Sequence, residues 1–392
     1  MSHLPPLDSL VPSYIQTFEA YIPSKPDPEL MKLYGSQRLW RLNNNENALG
    51  APLGAKKAIR AYERRRAAVY PSGDTFYLRQ RLAEYYQLQS ERFLVGNGAN
   101  ELISLVIKAF CEKGDNIITA DKTFAVYEWV ATFSGIQARL IPLKNFSFDP
   151  EGMLAQIDER TKVLFVCNPN NPTSTYWDEP TLRAFLDKVA GKQIVVLDEA
   201  YAEFVHQADY PDGLRLLEEY PNLVVFRTFS KMYGLAGLRI GYLAASVDVV
   251  EMMRRVYVVY SVNALAQIAA FAALGDEEHI QHTRQLVAQG KAFLFPILQR
   301  LELPVIGIEN PNHHKNTQQQ PNSGNRSSAG NFIMIKLPFS DTLAYRKLMQ
   351  QGVMVRTMTG FRFPNYIRVT MAQPEAMCAF AEALERLITN AV

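Results

Sequence analysis

The apolar positions of this chain fall into two kinds of run. Short runs rich in β-branched residues occur at Phe93–Val95, Asn116–Thr119, Ala138–Ile141, Val163–Val166, Ile194–Leu197, Leu223–Phe226 and Ile240–Ala244. Several lack any alternation, the pattern of strands buried on both faces. Between most of them the pattern lengthens to that of amphipathic helices. Alternating strand and helix predicts an α/β fold, a mostly parallel sheet covered by helices on both faces. Before that region the pattern predicts helices over residues 52–66 and 76–87. Residues 1–44 are punctuated by prolines (Pro5, Pro6, Pro12, Pro23, Pro26, Pro28) and suit an arm lying across another surface.

Beyond residue 245 the chain turns helix-rich, with ALAQIAAFAAL and then residues 279–300 as a bridge. A smaller α+β unit follows: strands in NFIMIKL, GVMVRTM and NYIRVTM, and helices at 341–351 and 375–388. The expected organisation is a large domain over 45–262 and a small domain over 263–392, with the 1–44 arm as part of the small one. Residues 308–330 interrupt the small domain with a polar stretch almost devoid of apolar side chains. Such a composition buries too little surface to order itself, so it is read as a disordered surface insertion.

Composition narrows the function classes. The chain has 392 residues, 48% hydrophobic and 20% charged, with a formal net charge of +2. That balance argues against nucleic acid or a membrane surface as partner, and Arg64, Arg65 and Arg66 read as a solvated helix face. The three cysteines, Cys111, Cys167 and Cys378, have no metal-ligand spacing and suit a reducing, cytoplasmic setting. No run approaches about 18 consecutive apolar residues, and the first residues lack the form of a signal peptide. His313 and His314 are adjacent but have no acidic or cysteine partner nearby, so no metal is expected.

The candidate chemistry gathers at strand ends. TFSKMYGLAGLRIGY, Thr228–Tyr242, sets Lys231 just past the LVVF strand, between the hydroxyls of Thr228 and Ser230, with Arg239 eight residues on. The C-terminal edge of an open α/β sheet is where ligands bind. A lysine there suits a Schiff base to an aldehyde cofactor that carries a phosphate. Asn168 ends VLFVC, and Asp198 ends IVVL. Alone, Asp198 reads equally as a helix N-cap, but three strand ends deliver an asparagine, a carboxylate and a lysine to one edge. Gly96 and Gly98 turn the Phe93–Val95 strand into a helix starting near Ala99 or Asn100, a ready anion site.

The Lys231 segment resembles the lysine signature of class I/II aminotransferases, pyridoxal phosphate enzymes of fold type I, and its GLAGLRIGY wording is similar to histidinol-phosphate aminotransferases. YIPSKP (Tyr21–Pro26), LNNNENALG, VYPSGD, NPNNPTS and YIRVT follow the same family's order, with Ser24, Ala48, Ser174 and Thr357 as departures. The resemblance implies pyridoxal 5′-phosphate held covalently by Lys231. It implies a phosphate cradle of Gly98, Ala99, Asn100, Ser230 and Arg239, with Tyr70 reaching in from a neighbouring subunit, so that a homodimer shares its active sites. It further implies Tyr127 stacked on the cofactor ring, Asp198 against the ring nitrogen, and Asn171 and Tyr201 on the ring oxygen. Tyr21, Arg356 and Arg368 would contact the substrate, Arg368 through a carboxylate and Arg356 through a phosphate. The implied reaction is transamination between L-histidinol phosphate and 2-oxoglutarate in histidine biosynthesis, giving imidazole acetol phosphate and L-glutamate. An aminotransferase for aromatic or other amino acids, or a threonine-phosphate decarboxylase on the same fold, is the alternative.

Overall fold

The computed structural model describes residues 7–19, 25–62, 64–307 and 329–389. Within them lie strands β1 (Trp40–Arg41), β2 (Phe93–Gly96), β3 (Asn116–Ala120), β4 (Gln137–Ile141), β5 (Thr161–Cys167), β6 (Ile194–Asp198), β7 (Leu223–Thr228) and β8 (Gly241–Ala245). They are followed by β9 (Val305–Ile306), β10 (Phe332–Lys336), β11 (Val353–Met354), β12 (Arg356–Thr357) and β13 (Tyr366–Thr370).

Seven strands form the large sheet in the order β2-β8-β7-β6-β5-β3-β4. The neighbours from β7 to β4 are parallel, whereas β8 runs antiparallel to both β7 and β2. Burial explains the unbroken apolar runs: Val163–Val166, Val195–Leu197 and Leu223–Phe226 are nearly inaccessible, because helices cover both faces. The helix Ala99–Phe110, for example, buries Leu102, Ile103, Leu105, Val106 and Ile107. The helix Glu179–Val189 starts where the Asp178 side chain accepts the Thr181 N–H, an N-cap of the usual kind.

The second unit is an antiparallel sheet, β12-β13-β10-β9. Beside it, β1 from the N-terminal segment pairs in parallel with β11. The expected GVMVRTM strand is therefore two short strands in different sheets, divided at Val355. The helix Glu277–Arg300, capped by Asp276, touches both units: Thr283 accepts from Asn47 and Arg284 donates to the Glu203 carbonyl, while a Cβ on Gly290 would stand 3.2 Å from Met371 of the second unit.

Two further boundaries differ from the pattern. The 52–66 helix stops at Ala61, because Tyr62 adopts extended backbone and a 3-10 turn, Arg64–Ala68, follows. Ala329 and Gly330, assigned to the polar insertion, are buried, and the Ala329 N–H donates to the Ser174 carbonyl. Residues 308–328, with His313 and His314, lie outside the described residues, as does Tyr21.

Candidate active site

Strands β5, β6 and β7 end side by side, and their register sets the site: Cys167 pairs with Asp198, and Asp198 with Phe226. Asp198 caps no helix. Its Oδ1 accepts the Ala200 N–H at 3.1 Å and its Oδ2 the Tyr127 hydroxyl at 2.5 Å. Burial pushes its carboxyl up, opposed by the Tyr127 and Ala200 hydrogen bonds and by Lys231.

Lys231 follows β7, and its Nζ donates to the Asn44 carbonyl at 2.9 Å and lies 5.8 Å from the Tyr201 ring centre. Desolvation first, then the charges of Arg368 and Arg239, lower its pKa to about 7, against the pull of Glu46 and Asp198. An amine so placed is available as a free base near neutrality. The loop that carries it approaches the N-terminal segment closely: Gly234 has φ +61°, and a Cβ there would stand 2.1 Å from the Gly50 carbonyl oxygen.

The segment Asn43–Glu46 does more than the turn its sequence suggested. Besides the Asn44 contact to Lys231, Asn45 donates to the Tyr201 hydroxyl at 2.9 Å, and the Asn43 carbonyl accepts from Arg368 Nη2 at 2.8 Å. Only the run of asparagines hinted at this.

Arg368 on β13 is buried and also donates from Nη1 to Asn171 at 2.5 Å. Its Nε is buried without a partner. Burial, with the nearby charge of Arg356, lowers its pKa to about 10, opposed by Tyr201. Arg356 is its cross-strand partner on β12, and both guanidinium groups lie over the Phe361 ring, at 5.7 and 5.8 Å. Such partners place their side chains on one face, so two guanidinium groups stand together beside Asn171.

At the other side, Gly98 (φ +78°) precedes the helix Ala99–Phe110, whose first N–H groups take no side-chain cap from it. A Cβ on Gly98 would lie 2.4 Å from Arg239 Nη2. The backbone turn is thus packed directly against a guanidinium, with Ala99 partly exposed and Asn100 exposed at the helix start. Ser230 is buried, and its N–H donates to Thr228 Oγ1. Free N–H groups, a helix start and an arginine form an anion cradle.

Two expected residues stand elsewhere. Tyr70 is 78% exposed and stacks on Tyr260 at 4.7 Å. Tyr127 is fully buried, its ring stacked on Phe165 at 4.8 Å. It therefore offers no open face to a cofactor ring, contrary to the stacking role the resemblance implied. Phe124, partly exposed and 5.6 Å from Tyr127, is the aromatic with surface to spare. A single turn separates the two, and sequence alone does not say which is buried.

Sequence reasoning also passed over Glu199 and Arg227. Glu199 Oε2 accepts from Arg227 Nε at 2.9 Å and Nη2 at 2.7 Å, and its Oε1 accepts the Gly213 N–H. Burial pushes this carboxyl up to about 7, with Arg227 pulling the other way. Alternating charges at apolar strand ends were the available signal. Among the described residues no cluster of histidine, cysteine and carboxylates could hold a metal.

A sheet of this order, with a lysine, a buried carboxylate and an anion cradle on the C-terminal edge, is the scaffold of a fold type I pyridoxal phosphate transferase. The family described as aminotransferase class I and II matches residues 38–384, and the chain belongs to it. It is a pyridoxal 5′-phosphate-dependent aminotransferase. Similar sequences include a histidinol-phosphate aminotransferase of Caldicellulosiruptor saccharolyticus, 36% identical over 95% of this chain and 99% of that one. Histidinol-phosphate aminotransferase 2 of Pseudomonas aeruginosa is 37% identical over 96% of this chain and 97% of its own. Among solved structures, histidinol-phosphate aminotransferase from Sinorhizobium meliloti in complex with pyridoxal-5′-phosphate superposes with a TM-score of 0.81. It is 23% identical, covering 100% of this chain and 99% of that one. No helix among the described residues is long and apolar enough to cross a membrane.

Proposed function

We propose that this enzyme moves the amino group of L-histidinol phosphate to 2-oxoglutarate, in histidine biosynthesis. The observation that carries the reading is the paired arginines. Arg356 and Arg368 share one face and one aromatic ring, and the buried Arg368 Nε has no partner. L-Histidinol phosphate carries a phosphate ester where an α-amino acid carries its carboxylate, and a dianion suits two guanidinium groups. The same pair accepts the carboxylates of glutamate or 2-oxoglutarate in the other half-reaction. Relatives that carry the name histidinol-phosphate aminotransferase at 36–37% identity support the choice.

The residues fit the cofactor. Pyridoxal 5′-phosphate supplies an electron-accepting ring that stabilises the charge left when a proton leaves the substrate's α-carbon. Lys231 is the residue that carries it covalently, and as a free amine near pH 7 it moves the proton. Asp198 holds the ring nitrogen in its protonated form. Asn171 and Tyr201 hold the ring oxygen. The N–H groups at Gly98, Ala99 and Asn100, with Ser230 and Arg239, hold the phosphate. Phe124 offers the stacking face. Tyr21, outside the described residues, retains its expected substrate contact as a proposal.

A second copy of the chain completes the site. Val69, Tyr70, Val258, Val259 and Tyr260 are large exposed apolar side chains, and Tyr70 and Tyr260 stack on each other. Such an apolar surface marks an interface, and the reading places Tyr70 at the neighbouring subunit's phosphate cradle. The unpaired cysteines are in keeping with a cytoplasmic enzyme.

The test is single-turnover absorbance on purified holoenzyme. L-Histidinol phosphate and glutamate should each rapidly discharge the visible band of the lysine-bound cofactor. Discharge by phenylalanine but not by histidinol phosphate would move the enzyme to aromatic substrates. Carbon dioxide release from phosphothreonine would make it a decarboxylase.

A further inference from the structure

We infer that Tyr127 is a positioning residue, whose hydroxyl holds the Asp198 carboxylate ionised and oriented for the cofactor's ring nitrogen. The inference rests on the proposed placement of Asp198 at that nitrogen, and not on the choice of substrate.

Tyr127 sits on the helix Val126–Phe133, with no accessible surface. One ring face is stacked on Phe165 of β5, with 15° between the planes, and Phe124 meets it edge-on at 82°. A phenylalanine would fill this space as well, and burying a hydroxyl is costly unless it is hydrogen-bonded. The hydroxyl is spent on Asp198 Oδ2 at 2.5 Å, a distance typical of a donor meeting a charged acceptor.

The groups facing Asp198 make that bond consequential. Cys167 faces it from β5, Lys231 from the loop after β7, Tyr127 from its helix, and Tyr201 from three residues along its own segment. Cys167 and both tyrosines are held neutral by burial, each thiol or phenol pushed up. Asp198 has therefore no guanidinium partner, in contrast with Glu199 beside it. Its charge is supported by two neutral donors, the Tyr127 hydroxyl and the Ala200 N–H, and so stays uncompensated enough to hold a protonated ring nitrogen. Without the Tyr127 donor the buried carboxyl keeps that proton itself, and the ring nitrogen is left neutral.

The experiment compares wild-type holoenzyme with Tyr127→Phe and Tyr127→His in the absence of any substrate. Cofactor affinity is measured by equilibrium dialysis, and the visible band is titrated against pH. A hydrogen bond to a charged group is worth about 1.5–3 kcal/mol, so the phenylalanine variant should bind cofactor roughly 10- to 100-fold more weakly. Its absorbance midpoint should rise, because a neutral ring no longer repels the proton on the Lys231-bound nitrogen. Tyr127→His returns an N–H donor and should move both readouts back toward wild type. A phenylalanine variant that matches wild type in both readouts overturns the assignment, as does a histidine variant no better than phenylalanine. If the phenylalanine protein does not fold, the histidine protein decides alone: a wild-type midpoint supports the assignment and a raised one overturns it. Failure of histidinol phosphate as a substrate leaves these readouts untouched, so the two readings fail separately.

Discussion

Asp198 and Glu199 are neighbours in sequence, both buried carboxylates at the end of one strand, and the structure treats them oppositely. Glu199 faces Arg227 through two hydrogen bonds and closes a charge pair inside the protein. Asp198 meets only a tyrosine hydroxyl and a backbone N–H, with Lys231 as its nearest cation. A buried charge must be paired or pay a large desolvation cost. Glu199 is paired within the fold; on the proposed reading Asp198 is left for a cation that arrives with the cofactor. The difference would then separate a carboxylate that holds the strand ends from one that does chemistry.

Substitution at either residue separates the two roles. Glu199→Ala leaves the buried Arg227 guanidinium with only the partly exposed Asp212 carboxylate, 3.5 Å away, and should cost about 3 kcal/mol of stability, read as a lower urea midpoint, while cofactor absorbance in the folded fraction stays wild type. Asp198→Asn should do the reverse. The asparagine oxygen still accepts one of the two donors, the Ala200 N–H, and its amide N–H meets the Tyr127 hydroxyl oxygen in place of the lost acceptor, so stability should fall by only about 1 kcal/mol, but turnover should fall about 100- to 1,000-fold with the loss of the charge, measured by steady-state kinetics. Exchanged outcomes would reverse the two roles.

The smallest effect sharpens the picture at Ser174. The family resemblance places a glycine there, and size alone would make serine a harmless exchange. The backbone is left-handed at φ +61°, however, and the serine Oγ is buried without a partner. Ser174→Gly should therefore raise stability by about 0.5–1 kcal/mol, measured by the same denaturation, with kinetics unchanged.

Much of the fold was legible because burial on both faces writes unbroken apolar runs. Each strand of the large sheet was placed to within a few residues. The orientation of β8 was not, since an antiparallel strand inside such a sheet carries the same apolar pattern as a parallel one. The Lys231 and Asp198 positions were legible because strand ends converge by topology; the strand-end asparagine, Asn168, instead bonds Trp177, and Asn171 came only from the family resemblance. The environment of each was not: Tyr127 and Phe124 lie three residues apart at one helix start, and only packing reveals that Tyr127 is enclosed. Likewise Asn43–Glu46 reads as a turn, while its contacts to Arg368, Lys231 and Tyr201 join residues more than 150 positions apart. Side-chain partners at such separations leave no local pattern.

On the proposed reading Lys231 carries the cofactor. Sodium borohydride reduction of the holoenzyme fixes the cofactor to the lysine that holds it, and peptide mass spectrometry then locates the mark. The added mass should fall on the peptide containing Lys231 and on no other lysine. A mark on a different lysine, with Lys231 unmodified, would contradict it.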